Sequence, residues 1–245
     1  MNKRIFSVCP GGIALLFGAL GLILRWLLYR TAMDGPYLLK TGHPLETALW
    51  LVTGAALLLF LFLARRAGGS CGYGDTFAPS PQAFAGHLLL AAGVGLIMLT
   101  REPQLPGALD LLWRVLGCLA VPCLAAAGVC RLRGKQPEFF LHLVPCLFLI
   151  IHILSHYRSW NSAPQLVGCV FAAFASMALM FFCFYQTAFD VDLGKRRMLT
   201  FFGLTAVYLC LCECARTEDL WLYLGGALYA AADLPLPAPE AEKPC

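Results

Sequence analysis

Histidine titrates near neutrality, so it is the first side chain to ask about proton chemistry. Three of the chain's five histidines fall in one apolar run, "HLVPCLFLIIHILSHYRSW", from His142 to Trp160. Read as a helix at about 100° per residue, this stretch puts Glu138, His142, His152 and His156 within an arc of about 80°, with Pro145 and Leu149 on the same stripe. Pro145 also frees the Leu141 carbonyl one turn back, beside His142. A polar stripe on a helix in lipid faces the bundle interior or a wet cavity. The chemistry on offer is the binding or transfer of a proton, or axial ligation of haem.

Depth restricts these options. The middle of the run, Cys146 to Ile150, is wholly apolar, so this helix supplies no continuous proton wire. His142 lies near one end and pairs in depth with His87 of an earlier run, making a candidate polar pair on the cytoplasmic side. His152 and His156 lie toward the other end, at the depth of Arg25, Asp110, Arg114 and Glu213. Those six residues are candidates for an outward-facing polar cavity that admits a small polar solute or senses external pH. Asp110 and Arg114 are spaced i,i+4 with the acid first, as a pair on one helix prefers. The plainer reading is that these are helix-end residues that snorkel or pair locally.

Other chemistry is poorly supplied. Two histidines at one depth could ligate haem, but no second pair at complementary depth exists, so no cofactor is expected. Of the twelve cysteines, Cys118, Cys123, Cys146, Cys169, Cys183, Cys210 and Cys212 lie inside apolar runs, where a thiol packs as a small hydrophobe. Cys210, Cys212 and Cys214 put the middle thiol nearly opposite the other two on a helix, which does not make a three-thiolate metal site. HExxH, GxSxG and Walker loops are absent, so the chain is not expected to be an enzyme. "GYGD" at Gly72–Asp75 imitates a potassium-channel filter, but "ARRAGGSC" before it offers no pore helix, and the segment reads as a flexible glycine-rich turn.

The elements that must position these residues follow from composition. Of 245 residues 60% are hydrophobic and only 13% charged, and the mean hydropathy is +0.73. A fold of this size cannot hide that much apolar surface from water, so the bilayer must be a partner. The net charge of +4 is modest and forms no basic stripe, which argues against nucleic acid. Apolar runs at 11–29, 46–64, 83–100, 107–130, 138–157, 164–187, 198–215 and 220–234 predict an all-α polytopic bundle of eight transmembrane helices. The last run is short, holds two glycines, and is flanked by Glu218, Asp219 and Asp233; the alternative is seven spans and a re-entrant segment. The first run has no small-residue cleavage site after Leu24 and is expected to stay as an uncleaved span.

Alternate loops carry Lys3, Arg4, Arg65, Arg66, Arg131, Arg133, Lys135, Lys195, Arg196, Arg197 and Lys243, eleven cations against six on the other side (Arg25, Arg30, Lys40, Arg101, Arg158 and Arg216). The richer side is expected to be cytoplasmic, with both termini there. Trp26, Trp50, Trp113, Trp160 and Trp221 sit near run ends, as an interfacial aromatic belt does. Lys195, Arg196 and Arg197 could hold anionic lipid headgroups, and Asp190 and Asp192 just before them read as a helix stop. Small residues four apart (Ala14 and Gly18; Gly168, Ala172 and Ser176; Gly226 and Ala230) permit close helix contact. Residues 1–234 read as one membrane domain and 235–245 as a short Pro-rich cytoplasmic tail.

"YRSWNSAPQL" through "FYQTAFDVDLGKRRMLTFFG", about 157–204, resembles uncharacterised multi-span membrane proteins of Gram-positive anaerobic bacteria. In those proteins an Arg-Trp pair, a Pro before the next span and a Gly-Lys-Arg-Arg turn recur. Here Ser159 separates Arg158 from Trp160. The resemblance implies a bacterial plasma-membrane protein and carries no activity. The expectation is a non-catalytic accessory or sensory subunit, with partners among other membrane subunits or copies of itself. The alternatives are a small-solute permease and, after it, an intramembrane enzyme.

Overall fold

The structure is a computed structural model that describes residues 10–35, 38–39, 42–69, 72–100, 107–160, 167–216 and 219–234. The described residues form nine helices: α1 Pro10–Thr31, α2 Pro44–Arg66, α3 Tyr73–Thr76, α4 Pro81–Thr100, α5 Gly107–Arg133, α6 Phe140–Trp160, α7 Val167–Asp190, α8 Arg196–Glu213 and α9 Leu220–Ala232. A small antiparallel hairpin of β1 Met33–Gly35 and β2 Leu38–Leu39, not expected from the sequence, follows α1. Lys3, Arg4, Lys40, Arg101, Glu218, Lys243 and the tail 235–245 lie outside the described residues, as do 161–166 of the segment that carries the family resemblance.

Local chemistry sets the helix starts. Pro44 opens α2, where a missing N–H costs nothing, and the His43 ring caps it by accepting from the Leu45 N–H at 3.3 Å. Ser80 Oγ caps α4 by accepting from the Ala83 N–H at 3.2 Å. Five helices are long and apolar enough to cross a membrane: α1, α2, α4, α5 and the Cys169–Asp190 part of α7. Phe140–Ser155 of α6 and all of α9 are shorter apolar helices.

Helices α4 to α9 pack neighbour to neighbour, and α9 returns to α4, closing a ring of six. Helices α1 and α2 pack together against α8. The weakest run of the sequence thus becomes a central element. Along α9, Leu222, Tyr223, Gly225, Gly226, Ala227, Tyr229 and Ala230 are all buried. Its backbone lies directly against α4. A Cβ on Gly93 would stand 2.5 Å from the Trp221 carbonyl oxygen, and one on Gly225 would stand 2.6 Å from that of Leu89. These glycines were not among the small-residue pairs picked from sequence. Of those that were, Gly18 meets Leu211, Gly226 meets Leu179, and Ser176 Oγ lies 3.1 Å from the Tyr223 hydroxyl.

The glycine-rich loop needs correction. Tyr73–Thr76 is a helical turn, and Tyr73, Thr76 and Phe77 are buried, with Phe77 edge-on to Phe189 of α7 at 5.3 Å. The segment is docked by its aromatic side chains, which the glycine count conceals.

Candidate functional site

Two ends of the bundle can be told apart by charge. The ends of α2, α5, α7 and α9 and the starts of α4, α6 and α8 share the side that carries Arg65, Arg66, Arg131, Arg133, Lys135, Lys195, Arg196 and Arg197. This is the basic end of the bundle.

Seven residues converge just inside it. His87 in the second turn of α4 and His142 in the first turn of α6 are both buried, and their Nε2 atoms stand 3.2 Å apart. His142 Nδ1 lies 2.6 Å from Asp190 Oδ2 at the end of α7. His87 Nδ1 lies 2.8 Å from the Ala83 carbonyl oxygen. Beside this chain Arg131, from the last turn of α5, donates through Nε at 2.7 Å and Nη2 at 2.5 Å to Asp233 Oδ1, just past α9. Gln186 Nε2 donates to Asp233 Oδ2, and the Tyr229 hydroxyl donates to Gln186 Oε1. The Tyr229 ring meets His87 edge-on at 4.8 Å.

Helical spacing explains the convergence. Gly117, Ala120, Leu124, Ala127, Gly128 and Arg131 are the buried stripe of α5, and Arg131 is its last member. Leu222, Gly226, Tyr229 and Asp233 continue the buried stripe of α9 in the same way. Leu179, Cys183, Gln186 and Asp190 do so on α7. The polar group at each helix end therefore inherits an inward direction from the apolar residues before it. That signal was present in the sequence, but Arg131 was counted as a loop charge and Asp190 as a helix stop.

The hydrogen-bond chain fixes a proton count. A carbonyl only accepts, so His87 Nδ1 carries a proton. The 3.2 Å contact between the imidazoles needs one proton between the two Nε2 atoms, and the 2.6 Å contact needs one between His142 Nδ1 and Asp190. Neutral rings and an ionised Asp190 hold only one proton for these two places. One contact would then set lone pair against lone pair. A chain carrying one extra proton satisfies both contacts. That proton has three positions: on Asp190, on His142, or on His87 with both hydrogen bonds reversed. Arg131 and Asp233 cancel each other, so the loaded cluster is neutral and the unloaded cluster carries one negative charge.

Outside the long helices, Asp192 and Tyr73 tie the connecting segments over this end. Asp192, at a left-handed φ of 57°, accepts from the Tyr73 N–H at 2.8 Å and from Gln136 Nε2 at 3.2 Å. These donors hold its carboxyl below the ordinary carboxylate range. Burial pushes the Tyr73 phenol up to about 12, so it stays protonated at neutral pH.

The candidates at the opposite end separate into groups. Arg25 Nη1 lies 2.5 Å from Glu213 Oε2, both buried, and the guanidinium also donates to the Tyr29 hydroxyl at 2.9 Å. His152 is fully buried, stacks on Phe148, and sits 4.0 Å from Asp219. Asp110 and Arg114 pair at 3.1 Å on the outward face of α5, where the Arg114 side chain is 52% exposed. Arg114 is thus exposed, whereas Arg25, Glu213 and His152 are buried. The His156 side chain lies outside the described residues. Lys195, Arg196 and Arg197 also diverge, because Arg196 is buried and Arg197 Nε donates to the Gly68 carbonyl at 2.9 Å. No family model, no curated protein and no solved structure matches the chain.

Proposed function

We propose that this chain is a multi-pass membrane protein of eight spans, both termini cytoplasmic, acting as a non-catalytic sensory subunit that registers a proton at its basic end. The observation that carries the reading is the chain Asp190–His142–His87, whose contacts of 2.6 Å and 3.2 Å are all satisfied only when one extra proton is present. Ionisable groups held within a membrane bundle are costly and are kept where they serve a function. Here the cost is offset while the proton is bound, and its loss leaves a buried net charge.

The eight-span reading gains support from burial. Helix α8 has Arg196, Arg197 and Glu213 at its ends, but most of its residues are buried inside the bundle. A helix wrapped by protein does not need the hydropathy of one that faces lipid. A bacterial plasma membrane agrees with the residue-level resemblance over 157–204. The basic loops, Lys195 and Arg197 among them, would then meet the anionic inner leaflet.

A sensor is favoured over a channel for protons because apolar residues separate the two polar ends. Leu90, Val94, Cys146, Leu149 and Leu179 are buried between them. The buried Arg25–Glu213 pair at the opposite end favours the second reading, a permease for a small polar solute.

Histidine-ring nitrogen NMR of the labelled protein in lipid tests the proposal. Resonances lost in His142→Gln and His87→Gln are expected to change together as pH is varied, with no proton flux in proteoliposomes. Rings that keep one protonation state throughout would refute the sensor. Proton flux carried by the protein alone would refute it as well.

A further inference from the structure

The cluster at the basic end lies under a lid. Residues 72–80 cross it as a strap that contains α3 and touches Arg131 in three ways. The Arg131 guanidinium sits over the Phe77 ring, 4.3 Å from its centre, and near the Tyr73 ring at 5.9 Å. Its Nη1 donates to the Ala78 carbonyl at 3.4 Å. The Ser80 N–H donates to the Arg131 carbonyl at 3.3 Å. Arg131 therefore both pairs with Asp233 and holds the strap.

We infer that the 72–80 strap is the output of the basic-end site: it docks while the Asp190–His142–His87 chain holds its extra proton and releases when the proton leaves. The inference rests on the proton-sensing reading. Loss of the proton ionises Asp190 permanently, and its Oδ1, buried without a hydrogen-bond partner, becomes a full acceptor at low dielectric. Asp190 lies one helical turn past Gln186, which bonds Asp233, so the new charge develops beside the Arg131–Asp233 pair. A guanidinium shared between two carboxylates is drawn away from an aromatic face and a peptide carbonyl, which are its weaker partners. Phe77 and Ala78 then lose their hold on Arg131, which leaves the Phe77–Phe189 contact and the Tyr73–Asp192 bond to hold the strap, too few to keep water from the chain.

The groups that face Asp190 and His142 are His87 of α4, Arg131 of α5, Tyr229 and Asp233 at α9, Cys183 and Gln186 of α7, and Tyr73 of the strap. Tyr73, held up to about 12, does not titrate in the window considered. Asp192, held low, is already ionised there. The histidine–aspartate chain is the responder that remains.

The test is a spin-label distance measurement in lipid nanodiscs. Labels go on Gly74→Cys and Lys135→Cys, both exposed positions, in a full chain whose native cysteines are replaced. A narrow short distance is expected at pH 6, with loss of that peak at pH 9. Asp190→Asn provides the lock. Its amide donates to His142 Nδ1 as a protonated carboxyl would, so the short peak should persist at pH 9. Should Asp190→Asn misfold, a second label pair at Ala78→Cys and Leu132→Cys, in the same cysteine-replaced chain with Asp190 kept, reads the same pH response. A strap whose distance is the same at both pH values, while the histidine spectra titrate, overturns the inference and leaves the sensor intact. Histidine spectra that do not titrate overturn both.

Discussion

His87 and His142, fifty-five residues apart in the chain, meet nitrogen to nitrogen at 3.2 Å inside the basic end of the bundle. Neither ring is exposed, and the second is held by Asp190 on a third helix. Three helices therefore share one hydrogen-bonded chain, and disturbing any member should be felt by the other two.

Asp190 offers a clean separation of charge from hydrogen bonding. Asp190→Asn keeps a partner for His142 Nδ1 and should leave thermal stability near the parent value. Asp190→Ala leaves that nitrogen buried and unpaired, at a cost of about 1–3 kcal/mol. Unfolding curves of the two variants in one detergent, at pH 6, decide the point. Equal losses would mean that the chain has no energetic standing.

Arg131 and Asp233 should behave as a coupled pair. Arg131→Leu or Asp233→Leu alone strands a buried charge, with an expected cost of about 3–5 kcal/mol. The double variant should lose less than either single change, because it removes both charges. A cycle of four unfolding measurements shows this as a large coupling energy. Additive losses would place the pair in a watered setting instead.

The α4–α9 contact is backbone against backbone. Gly93→Ala and Gly225→Ala each force a methyl against a carbonyl that cannot rotate away. Overpacking of this kind costs about 1–3 kcal/mol. Gly54→Ala, with open space at its Cβ, is the control and should be neutral or slightly stabilising. Yield and thermal midpoint of the three proteins give the comparison.

Asp192 makes strap docking dependent on acid. Its folded-state titration is depressed by the Tyr73 N–H and Gln136. Its contribution is therefore present above the ordinary carboxylate range and is lost as pH falls through the depressed value. Pepsin cleavage at Phe77, scaled to an unstructured control peptide, should rise as pH drops through that range. Asp192→Asn tolerates the left-handed backbone and keeps a neutral acceptor, so its scaled cleavage should be flat with pH.

Much of the architecture was legible without coordinates. Mean hydropathy and the length of the apolar runs call for helices in lipid, because the cost of exposing apolar area to water adds residue by residue and needs no knowledge of neighbours. Matching depths of His87 and His142 follow from counting 1.5 Å steps along two helices, and the structure joins those two residues. The same count put Asp110 and Arg114 level with Arg25 and Glu213, yet the first pair faces outward and the second is buried. Depth along a helix is local, whereas rotation about its axis is set by what packs beside it. The apolar stripes of their own helices aim Arg131, Asp190 and Asp233 inward, but only the tertiary structure could bring them together. Their meeting depends on the ring of six helices and on the close approach of α4 to α9 at Gly93 and Gly225, contacts between residues more than a hundred positions apart. Composition and period determined the solvent and the secondary structure; the long-range contacts decided which charges meet.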